Sequence, residues 1–250
     1  YLKEFTVEAG RPDSITKEKL EVLRRHRISR ISINPQTMQQ KTLDCIGRKH
    51  TVEDIRQVYA MARELGFENI NMDLIAGLPG ETLDDMKDTL RQIEMFAPDS
   101  LTVHALAMKR ASRLTQEKRE GSYRGNDQAD SATMLSEMIE LAAEYAGKMQ
   151  LVPYYLYRQK NIAGNFENVG YAKVDKAGIY NILIMEEKQS IVAVGAGAST
   201  KIVLPKEKTL IDEKTGNPKQ IVRTENVKDV EQYINRIDEM IERKGEWLWH

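Results

Sequence analysis

Acidic and polar side chains stand at the ends of strand-like, apolar segments in the first part of the chain. Asp73 lies inside the run MDLIAGLPGET (72–82), Glu8 follows KEFTV, and Gln36 and His104 end two further runs. Burying a carboxylate without a partner costs several kcal/mol, so Asp73 must either be paired structurally or face a ligand. Four polar residues in corresponding places on successive segments indicate a shared binding site.

Strand-like and helix-like segments alternate around these residues and would position them. Predicted strands cover 3–9, 29–35, 69–75 and 100–106, and predicted helices cover 14–27, 36–47, 51–66 and 82–97. This order indicates right-handed βαβ units with a parallel sheet, in a TIM-type barrel or a doubly wound fold. Both folds bind ligands at the carboxyl ends of their strands, at or near which Glu8, Gln36, Asp73 and His104 are expected.

The pattern changes in the second half of the chain. A helix predicted near 126–148 and a tyrosine-rich segment at 151–161 are followed by three predicted hairpin-forming strands, 179–187, 190–205 and 219–225. A last helix is predicted over 227–245. We therefore predict a barrel part over 1–110 and a smaller α+β region over 111–250.

The composition excludes several classes of protein. With 41% hydrophobic residues, 30% charged residues and a net charge of -1, nothing favours binding to nucleic acid or a membrane surface. No bilayer-spanning run and no secretory leader are visible. The single Cys45 excludes an internal disulfide and fits a reducing, cytoplasmic setting. Because Tyr1 already stands in a strand-like segment, we expect the sequence to be a piece of a longer protein.

Other motifs are open to simpler interpretations. VGAGAST (194–200) has Gly-x-Gly after a strand, but Thr200 replaces the third glycine of a dinucleotide-binding loop and a strand follows, which favours a tight turn. Cys45 on a short helix is typical of a core thiol. The four histidines are too scattered to predict a metal site, although folding could gather them. His104 is then a structural histidine or a ligand.

A cluster of tyrosines precedes two basic residues in YYLYRQK (154–160). Tyr154, Tyr155 and Tyr157 stand beside Arg158 and Lys160. The segment is either an amphipathic strand with its basic side in water or a platform for a flat, anionic ligand. Tyrosine rings stack on flat molecules, and arginine or lysine pairs with carboxylates.

Seven blocks of the sequence resemble, in order, the oxygen-independent coproporphyrinogen III dehydrogenases, which are radical S-adenosylmethionine (SAM) enzymes of haem biosynthesis. The blocks, between about residue 4 and residue 204, are EFTVEAGRPDSIT, RISINPQTM, IGRKHT, NINMDLIAGLPGET, LTVHALAMKR, YYLYRQKNIAGNFENVGYA and VGAGAST. The forms PYYLYRQKN and EAGRPD are most similar to the HemZ branch. The resemblance implies a partial TIM-like barrel of the radical SAM type, truncated at its N-terminal side, with a C-terminal region enclosing the site.

The resemblance implies SAM contacts for Glu8, Gln36, Arg48 and Asp73, with Val103 in the strand beside them. A carboxylate can accept from the ribose hydroxyls or the methionine amino group, and Arg48 can pair with the methionine carboxylate. The remaining expected residues match only loosely or by chemistry: Thr200 and Lys201 as a C-terminal SAM contact, His104, Tyr154, Tyr155, Tyr157 and Arg158 towards the substrate, and Lys109, Arg110 and Lys160 towards its propionates.

The resemblance also implies a [4Fe–4S] cluster, whose Cys-x-x-x-Cys-x-x-Cys loop this chain lacks and which we expect before residue 1. The full-length protein is then expected to convert coproporphyrinogen III to protoporphyrinogen IX. A 5′-deoxyadenosyl radical takes a hydrogen from a propionate, and loss of CO₂ and of an electron to an unidentified acceptor leaves a vinyl group, twice. The piece itself is expected to be inactive.

Other readings of the sequence stay open. A haem-binding chaperone of the same superfamily shares the barrel, and YYLYRQK favours the enzyme over it. Without the family resemblance, the hypothesis is a TIM-like barrel enzyme of unknown substrate. A piece that starts within a barrel also exposes a strand edge at 4–9, which predicts self-association through that edge.

Overall fold

The computed structural model describes residues 2–106, 128–157, 168–211 and 216–249. Its largest sheet has the strand order β1-β2-β3-β4-β6-β5, in which β1 to β4 are parallel and β6 and β5 are added antiparallel. The strands are β1 (Thr6–Gly10), β2 (Arg30–Gln36), β3 (Ile70–Ala76), β4 (Ser100–Ala105), β5 (Val152–Tyr157) and β6 (Asn168–Ala172). The predicted α/β class with a partial TIM-like barrel is confirmed.

Helices connect the parallel strands, and threonine residues fix where several of them begin. The helices of this part are α1 (Lys17–Arg25), α2 (Gln40–Cys45), α3 (Val52–Glu64), α4 (Leu83–Phe96) and α5 (Gln128–Lys148). The side chains of Thr51 and Thr82 each accept a hydrogen bond from the backbone amide three residues on, and the carboxylates of Asp54 and Asp85 accept from the Thr51 and Thr82 amides in turn. These capping boxes satisfy amide groups that a helix start leaves unpaired.

The parallel strands have one apolar face and one polar face. Ile31 and Ile33, Met72 and Leu74, and Leu101 and Val103 are at most 2% exposed and belong to the main hydrophobic core with residues of α3 and α4. The alternate residues form what we call the polar face, which consists of Glu8, Arg30, Ser32, Asn71, Asp73, Ser100, Thr102 and His104. Strands buried on both faces are usually apolar on both, so a polar face needs internal partners or a ligand.

Asp99 connects α3, β3 and the end of β6. Its carboxylate accepts from the Ile70 amide at 3.0 Å, from Arg63 Nη1 at 2.7 Å and from Lys173 Nζ at 3.0 Å. Burial alone would raise the pKa of Asp99, but the Ile70 hydrogen bond and the two cations outweigh it and lower the pKa below 3.8. Asp99 is 5% exposed, so these contacts replace nearly all of its hydration.

The chain divides into two compact units, residues 1–179 and 180–250. This differs from the predicted division at residue 110, because α5, β5 and β6 extend the sheet and core of the first unit. The segment 179–187 was predicted as a strand and is instead helix α6 (Ile179–Glu186). Short apolar runs do not distinguish strand from helix by periodicity, which explains the error.

The second unit has its own small core. Strand β7 (Ser199–Val203) pairs antiparallel with β10 (Ile221–Glu225), and β8 (Leu210–Ile211) pairs with β9 (Pro218–Lys219). Of the predicted strand 190–205, only β7 and a single bridge at Ile191 form. The predicted last helix is two helices, α7 (Val230–Asn235) and α8 (Ile237–Leu248), and Trp247 and Leu248 pack against the core of Ile202, Leu204 and Val222.

Two sequence predictions concern the surroundings of the chain. In the described residues, no helix has both the length and the apolar character needed to cross a bilayer. Strand β1 pairs with β2 on one side only within the described part of the chain, so the predicted open edge is present. Self-association through that edge stays a prediction.

Replacing Asp99 by Asn should lower the free energy of unfolding at pH 7 by about 2 kcal/mol, because Arg63 and Lys173 lose their counter-ion. The folded-state pKa lies below the ordinary value of 3.8, so this stabilisation is complete above pH 3.8 and is lost as the pH falls through the folded value. Urea unfolding at pH 7 and pH 3 measures both effects.

The exposed Asp84→Asn variant is the matched control for Asp99→Asn. A difference between parent and Asp99→Asn that is equally large at both pH values would contradict the assigned role of the charge.

Candidate functional site

The carboxyl ends of the parallel strands meet at one edge of the sheet. We call the residues gathered there by sequence analysis the strand-end site: Glu8, Gln36, Arg48, Asp73 and His104. On β3, Asp73 Oδ1 accepts from Asn71 Nδ2 at 2.7 Å, and Asp73 Oδ2 lies 3.9 Å from His104 Nε2 of β4. On β1, Glu8 Oε2 accepts from Ser32 Oγ of β2. Each acid thus has one internal partner and keeps further acceptor capacity for a ligand.

Gln36 occupies a strained backbone position at the end of β2. Its φ is 71°, in the left-handed region that non-glycine residues rarely adopt. The residue is 8% exposed, and the pairing of β2 with β3 is irregular between Ile33 and Gln36. Strain of this kind costs about 1–3 kcal/mol and is concentrated at functional sites, which favours a binding role for this amide.

Arg48 presents a partly buried guanidinium group without a counter-ion. Among the described residues, no carboxylate oxygen lies within 4 Å of it. Burial, and then repulsion from Arg11, lower the pKa of Arg48 below its usual value. A carboxylate that pairs with Arg48 replaces the hydrogen bonds to water that burial has removed. Arg48 therefore favours binding of a ligand that carries a carboxylate.

The loop after β1 is held near Arg48 by an ion pair and a histidine. Arg11 donates to both oxygens of Asp13, at 3.1 and 2.6 Å, and Asp13 Oδ1 lies 3.6 Å from His50 Nδ1. His50 is 1% exposed, and its Nε2 lies 3.4 Å from the Pro35 carbonyl next to Gln36. Burial lowers the pKa of His50, so it acts as a neutral support for this turn.

Glu81 fastens the loop after β3 to the loop after β2. Its Oε1 accepts from Thr37 Oγ1 at 2.6 Å. Glu81 is 3% exposed, and its Oε2 has no hydrogen-bond partner among the described residues. Burial therefore raises the pKa of Glu81 above its usual value. This contact holds the chain segments that carry Gln36 and Asp73 together.

Three of the predicted SAM contacts have side chains that are already engaged in other contacts. The Val103 side chain points into the apolar core under α4 and α5, so it could meet a ligand only through its backbone. Thr200 and Lys201 belong to the second unit, where their side chains are already bonded. Thr200 Oγ1 accepts from the Ala193 amide at 3.0 Å, and Lys201 Nζ pairs with Glu187 at 2.7 Å.

The tyrosine cluster is split between interior and surface. Tyr157 is 45% exposed, whereas the Tyr155 ring lies over Gly170 of β6. The rings of Tyr154 and Tyr155 meet edge to face at 4.9 Å. An open stacking platform therefore does not include Tyr155. The predicted residues Arg158, Lys109, Arg110 and Lys160 lie outside the described part of the chain.

The strand-end site suits an amino acid linked to a sugar. A guanidinium without a counter-ion fits a carboxylate, and acids with acceptor capacity fit an ammonium group or a diol. The same residues do not suit an iron–sulfur cluster. In the described ranges no three His, Cys, Asp or Glu side chains are grouped to hold a metal ion, and the lone Cys45 is exposed.

Sequence analysis missed the polar residues that support this site. Asn71, Thr102, Ser32 and Arg30 stand in β strands as ordinary alternating positions, and only their pairing across strands gives them partners. Glu81 lay in the quoted run before a helix start and was not singled out. The one available signal was the number of polar residues in strands that had to be buried.

Comparison with known proteins gives consistent results. The model of the radical SAM superfamily matches residues 3–93. The chain is 45% identical over 247 residues to the Bacillus subtilis oxygen-independent coproporphyrinogen-III oxidase-like protein HemZ, covering 99% of this chain and 46% of that protein. It is 37% identical over 108 residues to the heme chaperone HemW of Bacillus subtilis, covering 43% of this chain and 28% of that protein.

A solved structure shares the fold. It is coproporphyrinogen III oxidase (HemN) from Escherichia coli, described as a radical SAM enzyme, with a TM-score of 0.65 and 19% identity over 94% of this chain and 49% of that chain. At this identity the likeness concerns the fold alone. The chain thus spans about half the length of HemN and of HemZ.

Replacing Glu81 by Gln should remove a pH dependence of stability. Because the folded-state pKa is raised, the folded protein binds the Glu81 proton more tightly, so the free energy of unfolding falls as the pH rises above 4.5. Glu81→Gln keeps an acceptor for Thr37 and should be about 1 kcal/mol more stable than the parent at pH 8, with no gain at pH 4.5. Urea unfolding at both pH values tests this.

The exposed Glu21→Gln variant is the control, since it removes an acid of the same type. A Glu81→Gln variant that is less stable than the parent at pH 8 would show that the buried charge stabilises the loops.

Proposed function

We propose that the strand-end site of this chain, whose residues 3–93 match the model of the radical SAM superfamily, binds SAM. The observation that carries this proposal is the partly buried guanidinium of Arg48, which has no carboxylate oxygen within 4 Å among the described residues, together with the acceptor capacity left on Asp73 and Glu8. Arg48 would hold the methionine carboxylate. Asp73 and Glu8 would accept from the methionine ammonium group and the ribose hydroxyls, and Gln36 would both donate and accept.

For the whole protein we propose the activity of an oxygen-independent coproporphyrinogen III dehydrogenase. The proposed reaction converts two propionate side chains of a porphyrinogen to vinyl groups, with loss of two CO₂ and transfer of electrons to an acceptor of unknown type. The support is the 45% identity to a coproporphyrinogen-III oxidase-like protein along nearly the whole chain. When reduced, bound SAM would supply a carbon radical that abstracts a hydrogen atom.

The chain itself does not fit a [4Fe–4S] cluster. Three thiolates are needed, and the sequence contains one cysteine. No step through a cluster is therefore assigned to these residues. What they can do is bind and orient: the strand ends fix the charged groups of SAM, and the capped helices hold those strand ends in place.

A haem chaperone is the second candidate function. The specific observation in its favour is the 37% identity to HemW over 108 residues. Both candidates use the same barrel, so the strand-end site does not separate them. Binding of haem rather than a porphyrinogen would.

The first test is calorimetric titration of SAM into the chain and into Asp73→Asn. The substitution keeps the shape of the side chain and removes its charge, so the dissociation constant for SAM should rise about 10- to 100-fold, as for loss of a charge-assisted hydrogen bond. The exposed Asp44→Asn on α2 is the control and should bind like the parent. Equal affinity of parent and Asp73→Asn would reject the assigned site.

Titration of haem into the same proteins separates the two candidate functions. Haem binding tighter than SAM binding, and unaffected by Asp73→Asn, would favour the chaperone.

Replacing Gln36 by Gly should separate stability from binding. Glycine adopts a φ of 71° without strain, so the free energy of unfolding should rise by about 1 kcal/mol or less. The lost amide should weaken SAM binding several-fold. Gln36→Asn is the matched variant, because asparagine tolerates this conformation and keeps an amide. A Gln36→Gly variant with parental affinity would remove Gln36 from the proposed site.

A further inference from the structure

A row of polar side chains crosses the sheet from the tyrosine cluster to Asp73. The Tyr155 ring lies over Gly170 of β6, which is paired with Thr102, and Thr102 Oγ1 donates to Asn71 Oδ1 at 3.3 Å. Asn71 Nδ2 then donates to Asp73 Oδ1 at 2.7 Å. This row of side chains therefore links residues of β5, β4 and β3, all of them on the polar face or reaching into it.

The Asp73 carboxylate at one end of this row and the Tyr155 hydroxyl at the other fix which group donates at each step. A carboxylate accepts only, so Asn71 must turn its amide nitrogen to Asp73 and its oxygen to Thr102. Thr102 has one hydroxyl proton, which it gives to Asn71, so towards Tyr155 it can only accept. Burial raises the pKa of Tyr155 to about 12, so this hydroxyl keeps its proton at neutral pH.

Gly170 makes the contact between Tyr155 and Thr102 possible. In the strand register Gly170 of β6 stands between them, paired with Thr102 on one side and with Tyr155 on the other. A Cβ atom at position 170 would lie 1.9 Å from Tyr155 Cε1, a distance at which no side chain fits. The tyrosine ring thus lies over β6 at the one residue without a side chain.

The arrangement has a consequence for the ligand site. Asp73 Oδ1 is occupied by Asn71, and Oδ2 faces His104 at 3.9 Å. Hydrogen bonding restricts the rotation of the carboxylate, so that one oxygen stays available to a ligand. Restricting a binding group before the ligand arrives lowers the entropy lost on binding.

We infer that Tyr155 is a positioning residue for Asp73, acting through Thr102 and Asn71 and made possible by Gly170. The inference rests on the proposed binding of SAM by Asp73 and adds to it. It also assigns Tyr155 a different role from stacking on a flat ligand. Tyr155 does not contact SAM in this account, and its effect reaches the ligand only through the carboxylate.

The experiment is calorimetric titration of SAM into variants that each interrupt one link. Tyr155→Phe and Thr102→Val remove a hydroxyl and keep the shape, and each should raise the dissociation constant for SAM about three- to tenfold. Gly170→Ala should have at least the same effect, because the ring must move. The controls are Tyr171→Phe on the opposite face of β6 and Gly147→Ala, whose added Cβ meets nothing within 4 Å.

A double-mutant cycle distinguishes positioning from a general structural role. If Tyr155 acts through Asp73, then Tyr155→Phe should not change the residual affinity in an Asp73→Asn background. Equal losses in both backgrounds, or parental affinity of Tyr155→Phe beside a weakened Asp73→Asn, would overturn this inference and leave the proposed function intact. Absence of SAM binding to the parent chain would overturn both.

Discussion

The polar face of the parallel strands is the constraint on which the rest of the structure depends. Strands β2 to β4 bury apolar residues against helices on one side and polar residues on the other. An unpaired polar group in such a place costs about 1–3 kcal/mol, so each one needs a partner. Ser32 donates to Glu8, Arg30 donates to Ser100 through one Nη atom while its Nε has no partner among the described residues, and Asn71 donates to Asp73. The acids of the strand-end site keep unused hydrogen-bond acceptor capacity, which supports the proposed binding of a ligand there.

The loops at this edge are fixed by contacts that do not touch the proposed ligand. Glu81 joins the loops after β2 and β3, and His50 lies between Asp13 and the Pro35 carbonyl. At the opposite ends of the strands, Asp99 fixes the neighbouring segments by pairing with Arg63 and Lys173. A site composed of residues from several strands needs such supports, because small displacements of the individual strands would together change the distances between the binding groups. The strained φ of Gln36 persists because its surroundings hold it.

The local elements of the first unit could be predicted from the sequence, because their signals are local. Thr51 with Asp54 starts a helix in any context, and the alternation of strands with amphipathic helices indicates a parallel sheet. The contact of Asp73 with His104 was not predictable, since it depends on the register of β3 and β4, whereas its other partner, Asn71, lies two residues earlier in the same strand. Helix α6 was mistaken for a strand for a related reason: its apolar run, Ile179–Glu186, has no period that separates the two.

The central claim is that SAM binds at the carboxyl ends of β1 to β4. The most direct measurement is a crystal structure of the chain grown with SAM. The account predicts electron density with the methionine carboxylate on Arg48 and with Asp73 Oδ2 or Glu8 on the ammonium group or the ribose. Density for SAM at the opposite ends of the strands, or on the second unit, would contradict it.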